Sequence, residues 1–325
     1  AIIRKEIKFR SISLTGDFNM SKSNYKFERW IPQSQSSWAW RVFKKHNNEL
    51  LRMLITFDNS HKFTYSNLKE KGANFESEVI SYFDSSLKLK GHMNDTKFKN
   101  IKEWSNSFNE LQNWMNLNAL LAMMSNLETY MATVIPLAIE SDIGVLYGVS
   151  KRIDGIELLK HGKQKNHGIK EMVIGCTKGT WQSRVNTYIK IFDHAPDKLI
   201  KNISELDKMQ DIRNKIAHAF GRDIESSRAN GKITTLPSEK IKNDKLIEFQ
   251  TTVWQTAKVI DFHLQNSHIG EYLRVLFYHN MQKNLNTTLH KNEKAVILKK
   301  RIGKFGDVSA GKEFCQGLVE YYDKL

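Results

Sequence analysis

The sequence predicts a mainly α-helical protein, and three observations predict it. Apolar residues recur at three- and four-residue steps over long stretches, the period of a helix that buries one face. The strongest punctuators are scarce, with 17 glycines and 4 prolines in 325 residues. Leu, Lys, Glu, Asn and Met are abundant, which leans the same way.

The first 95 residues read as an N-terminal accessory region of mixed or uncertain structure. Residues 1–35 are short-period and turn-rich, and Ile7, Phe9, Ile12 and Leu14 suggest one or two strands. Trp38, Val42, Leu50, Leu54 and Phe57 fall at helical spacing, as do residues from Leu68 to Phe83. Thr64 is a candidate cap inside this stretch, and a further helix is expected from Asn74. Lys88 to Asp95 reads as a linker.

A helical domain is expected over 100–280. Ile101, Trp104, Phe108, Leu111 and Met115 form one amphipathic stripe. It slips at Asn116-Leu117-Asn118 and resumes as Leu120, Met124, Leu127, Met131 and Val134, which predicts two collinear or kinked helices ending near Pro136 or soon after. Asn118, Ser125, Asn126, Glu128, Thr129 and Thr133 make this stretch too polar for lipid, so no membrane partner is expected. Residues 148–180 are basic and glycine-bearing and read as a long loop, with room for a short helix. Trp181 to Phe192 is helical. Ser204 to Phe220 is the clearest helix, with Ser204 as N-cap, Asp207 three residues on and Gly221 as its stop. A polar hinge, Asp223 to Pro237, leads to helices over Leu246–Leu264 and Ile269–Asn280. Residues 281–325 form a basic C-terminal extension with a last helix from Gly311 to Tyr322.

The formal charge is +15, from 50 Lys and Arg against 35 Asp and Glu, which sets up a field attractive to polyanions such as RNA. Two distant cysteines, Cys176 and Cys315, suit a reducing, cytoplasmic compartment. Arg4, Lys5 and Glu6 interrupt any apolar leader at the start. No phosphate-binding glycine loop or nucleophile elbow is present, and His263 and His268, five apart with no suitably spaced carboxylate, do not read as a zinc site. They read as ordinary surface or satisfied residues. Trp104, Trp114, Trp181 and Trp254 recur at apolar positions and read as core.

The chemistry concentrates in Asp211-Ile212-Arg213-Asn214-Lys215-Ile216-Ala217-His218. At about 100° per residue, Leu206, Met209, Ile212, Ile216 and Phe220 share one apolar stripe. His218 falls about 170° from the middle of that stripe and Asn214 about 40° from His218, so both share a polar face. Arg213 flanks the stripe, about 140° from His218. An imidazole can take or give a proton during phosphodiester cleavage, and a guanidinium can grip phosphate oxygens two at a time.

Arg213, Asn214 and His218 resemble the signature of the HEPN (higher eukaryotes and prokaryotes nucleotide-binding) superfamily: an arginine, a polar residue, three variable residues and a histidine. The Leu-x-x-Met-x-x-Ile run before the motif and the Ser125-to-Tyr130 segment of the earlier helix extend the likeness, over roughly 100–280. The resemblance implies a HEPN-like helical bundle that dimerises with its motifs facing across the two-fold. It implies a metal-independent endoribonuclease of the toxin–antitoxin or phage-defence kind, without cofactor, acting on single-stranded RNA or a tRNA loop, with an antitoxin or defence partner. His218 is then the acid/base, Arg213 the phosphate clamp and Asn214 a positioner. Some relatives only bind nucleotides, so a non-catalytic RNA- or nucleotide-binding module, or a structural subunit of a defence complex, stands as the alternative.

Glu128 is the only charge between Leu117 and Ile139. Such a carboxylate needs a partner, and Arg213 is the natural one if the two helices pack. Lys215, Arg222, Lys299, Lys300 and Arg301 are the candidate contacts to an RNA backbone.

Overall fold

The computed structural model describes residues 26–82, 98–163, 168–219, 228–231, 239–285, 289–302 and 310–325, and of 217–219 the backbone alone. Among these residues the fold is mainly α, with ten α-helices and two isolated β-bridges, Glu78 with Asn100 and Asp142 with Asp154. Contacts divide the chain into two units: Glu28–Asn286 with Leu325, and Ala1–Phe27 with Thr287–Lys324.

In the larger unit, α1 (Trp38–Glu70) starts where Ser37 accepts the Trp40 N–H at 3.1 Å. The helix runs unbroken through Thr64, against the expectation of a cap there. The hydroxyls of Thr56, Ser60 and Thr64 donate to carbonyls four residues earlier, so they are satisfied inside the helix. Gly72 ends it at φ +73°, a left-handed conformation that costs glycine little. The helix expected from Asn74 is replaced by a three-residue 3-10 turn, Val79–Ser81. The strand residues Ile7 to Leu14 and the linker Lys88 to Asp95 lie outside the described residues.

The central element is α2 (Ile101–Ser141), one continuous helix of 41 residues. The slip in its stripe has a tertiary cause. Asn116 donates to the Ile241 carbonyl at 2.8 Å and to Asn243 at 2.9 Å, while Asn113 donates to the Glu239 carbonyl and accepts from the Ile241 N–H. These asparagines strap down a distant segment and leave the helix intact. Leu120, Leu127, Val134, Ile135 and Ala138 are fully buried, as suits a helix wrapped on most sides. Each buried side chain of leucine size contributes about 1.5–3 kcal/mol. Among the described residues no helix is long and apolar enough to cross a membrane.

Around α2 pack α1, α4 (Ile169–Thr177), α6 (Asp197–Ala219) and α7 (Asn243–Leu264). The stretch expected as a loop over 148–180 holds two helices, α3 (Gly155–Lys160), capped by Asp154, and α4. The predicted helix over Trp181–Phe192 is α5. Helix α6 begins at Asp197, after Pro196 whose carbonyl takes the first amide bonds, so Ser204 is an interior residue and not an N-cap. Gly221 and most of the hinge lie outside the described residues. After α7, a π-turn over Gln265–Ile269 leads to Gly270 and α8 (Tyr272–Gln282). A Cβ on Gly270 would stand 2.4 Å from the Arg29 carbonyl oxygen, so this close approach requires glycine. Trp181 is fully buried, but Trp114 is 47% exposed, which corrects its reading as core.

The smaller unit holds α9 (Lys291–Ile302) and α10 (Lys312–Lys324), which pack together. Phe27 meets Phe314 and Tyr321 at ring distances of 5.3 and 5.5 Å.

Candidate functional site

Three helices of the larger unit bring three charged side chains together. Leu206, Met209 and Ile216 bury the apolar stripe of α6, which packs against α2, α5 and α7. Arg213, on the border of that stripe, reaches across to α2 and donates from Nη2 to Glu128 Oε2 at 3.1 Å. Its Nη1 donates to Asn214 Oδ1 at 3.2 Å. The expected partnership of Glu128 and Arg213 is therefore a contact in the structure.

A third residue, which the sequence reading missed, completes the group. Arg184 of α5 donates from Nη1 and Nη2 to Glu128 Oε1 at 3.1 and 3.2 Å, and from Nε to the Gly179 carbonyl at 3.0 Å. Its guanidinium lies 4.7 Å from the Trp181 ring centroid. Side-chain exposure is 3% for Arg184, 22% for Glu128 and 33% for Arg213, so the group runs from the interior to the surface. Burial lowers Arg184 from the usual guanidinium range, while the charge and hydrogen bonds of Glu128 oppose that effect. A signal for Arg184 existed. Trp181, Arg184, Val185 and Tyr188 fall on one face at helical spacing, and a cation set among apolar residues needs a partner.

The loop before α5 is tied to α6 twice. Asp207 accepts the Trp181 N–H at 2.9 Å, supplying a partner and a negative charge at the N-terminus of α5. Gln210 donates to the Gly179 carbonyl at 3.1 Å. These bonds fix Arg184 relative to the helix that carries Arg213.

Helix α6 continues through position 218, but the His218 side chain lies outside the described residues, as does Arg222. Lys215 is exposed and paired with Glu239 at 2.5 Å, which raises its ammonium above the usual lysine range. Lys299, Lys300 and Arg301 are exposed on α9, in the smaller unit. Among the described residues no group of three His, Cys, Asp or Glu side chains is placed to hold a metal ion.

A second polar cluster lies at the joint of α5, α7 and the π-turn. Of the two readings the sequence left for His263 and His268, surface or satisfied residues, burial excludes the first. Their rings stand 5.6 Å apart, and His194 stands 4.3 Å from His263. Tyr188 Oη pairs with His263 Nδ1 at 2.7 Å and Asp142 with His268 Nδ1 at 2.9 Å, while each Nε2 is buried with no partner among the described residues. The π-turn explains the meeting: its extra residue alters the rotation between positions that a regular helix would splay by about 140°.

No family model, no curated protein and no solved structure matches this chain.

Proposed function

We propose that the protein is a metal-independent endoribonuclease whose site is centred on Arg213, Asn214 and His218. The observation that carries this reading is the anchoring of Arg213. Glu128 and Asn214 hold two of its five N–H donors, and the other three have no partner among the described residues. A guanidinium fixed at one edge, open at the other and one-third exposed suits a two-pronged grip on phosphate.

In this reading the RNA 2′-hydroxyl attacks the adjacent phosphorus and gives up its proton to a base. The 5′-oxygen of the next nucleotide leaves and takes a proton. His218 serves these transfers, Arg213 offsets charge developing on the phosphoryl oxygens, and Asn214 holds Arg213. The products carry a 2′,3′-cyclic phosphate and a 5′-hydroxyl. The +15 charge favours encounter with RNA, single-stranded or in a tRNA loop, and two free, buried cysteines support a cytoplasmic setting. A homodimer of HEPN type, with an antitoxin or defence partner, belongs to the same proposal.

The test compares wild type with Arg213→Ala and His218→Ala for cleavage of total RNA and for RNA binding. Each substitution should abolish cleavage and leave most of the binding. Retained cleavage in both variants refutes this site, and binding without cleavage by the wild type selects the non-catalytic module.

A further inference from the structure

We infer that Arg184 is a positioning residue for Arg213, acting through Glu128; this rests on the reading of Arg213 as the phosphate clamp. An isolated pair of Glu128 and Arg213 at this exposure would be a loose one. Two flexible side chains near water sample many arrangements and gain little from meeting. Arg184 changes that. Its three bonds to Glu128 and Gly179, with its packing against Trp181, leave it one conformation in a site where it is 97% shielded from solvent.

With Oε1 engaged by both Nη atoms of Arg184, the Glu128 carboxylate cannot rotate freely, and Oε2 is presented in one direction. Arg213 Nη2 meets it there, and Asn214 then takes Nη1. The relay runs from the loop before α5, through the buried Arg184 and across α2, to the exposed edge of α6. Gly179 lies at its root, since the carbonyl that holds Arg184 also accepts from Gln210 on α6. The N–H groups of Arg213 that have no partner among the described residues thereby face a fixed direction before any anion arrives. That pre-orientation is what a group stabilising developing charge requires. The geometry also calls for arginine at 184. A lysine could reach Oε1 but has no second arm for the Gly179 carbonyl.

The experiment uses the full chain with Arg184→Met and Arg184→Lys, and Arg213→Ala as reference. Thermal unfolding establishes that each variant is folded. Two readouts follow: kcat and KM on an RNA oligonucleotide, and the rate at which phenylglyoxal modifies Arg213, mapped by peptide mass spectrometry. Arg184→Met should lower kcat by about tenfold or more with KM changed less than about threefold. Arg184→Lys should recover part of that loss. Arg213 should react several-fold faster in Arg184→Met than in wild type, with Arg184→Lys between them. Unchanged kcat and unchanged Arg213 reactivity in the folded methionine variant would overturn the inference. If that variant does not fold, Arg184→Lys carries both readouts, and wild-type values there are equally fatal. If the wild type shows no His218-dependent cleavage, the ribonuclease reading falls, and Arg213 reactivity still decides whether Arg184 positions it.

Discussion

Glu128 and Arg213, 85 residues apart, meet at 3.1 Å between α2 and α6, and the other oxygen of the same carboxylate takes both Nη atoms of Arg184. One acid thus serves two cations that come from two further helices. Arg184 depends on it most, because its side chain is 3% exposed and has no water to fall back on. Arg213 depends on it for direction more than for solvation, being one-third exposed.

Glu128→Ala should therefore destabilise the protein and impair it together. Removing one partner of a buried pair leaves an uncompensated charge, at a cost of about 3–5 kcal/mol when burial is complete. With Glu128 itself 22% exposed, a loss of about 2–3 kcal/mol is expected in urea unfolding, along with lower RNA cleavage. Glu128→Gln, which keeps the shape, should lose less stability. A folded, fully active Glu128→Ala protein with an unchanged midpoint would contradict this arrangement.

The histidine cluster predicts an acid-sensitive fold. Burial, then the nearby His194 and His268, lower His263 from 6.5 to about 4. The neutral ring is thus the folded form, while an unfolded chain takes up the proton near 6.5. The stability this group contributes is complete above pH 6.5 and is lost as pH falls toward 4, at up to ~1.4 kcal/mol per pH unit. Urea midpoints at pH 7, 6 and 5 should show that slope in wild type and a flatter one in His263→Gln. Parallel slopes would mean that His263 is protonated in the folded protein.

Elements whose stability is local were legible in the sequence. Helix α5 has the bounds its stripe predicted, because Trp181, Val185, Tyr188 and Phe192 lie on its buried face at helical spacing. Leu206, Met209 and Ile216 were equally readable as the packed side of α6. What failed depended on distant partners or on competing hydrogen bonds. Asn116 looked like a break in α2 because Ile241, which it binds, is 125 residues away. Thr64 and Ser204 looked like caps because their residue types favour helix starts, yet both lie inside longer helices. In the site, Glu128 announced itself as a lone charge and Arg213 as its neighbour on a helix border. Arg184 stood on an apolar face with the same need, and only the packing of α5 beside α2 and α6 shows whose carboxylate it shares.

The proposed dimer has its own consequence. Positions 213 and 218 diverge by about 140° on an ideal helix, and Arg213 is turned toward α2. A two-fold axis beside α6 would let the arginine of one subunit meet the histidine of the other. Arg213→Ala and His218→Ala should then each be inactive alone. Refolded together, about half of the dimers are mixed, each with one intact site of two, so about a quarter of wild-type activity should return. Absence of recovery, with mixed dimers confirmed by mass spectrometry, would rule out that pairing across the interface.

The most direct measurement of the central claim is cleavage of a defined RNA oligonucleotide in EDTA, followed by mass spectrometry of the new ends. The proposed site works through guanidinium and imidazole nitrogens, so chelation should leave the rate unchanged. The fragments should carry 2′,3′-cyclic phosphate and 5′-hydroxyl ends, and His218→Ala should produce none. Cleavage that vanishes in EDTA, leaves 5′-phosphate ends and survives His218→Ala would contradict the account.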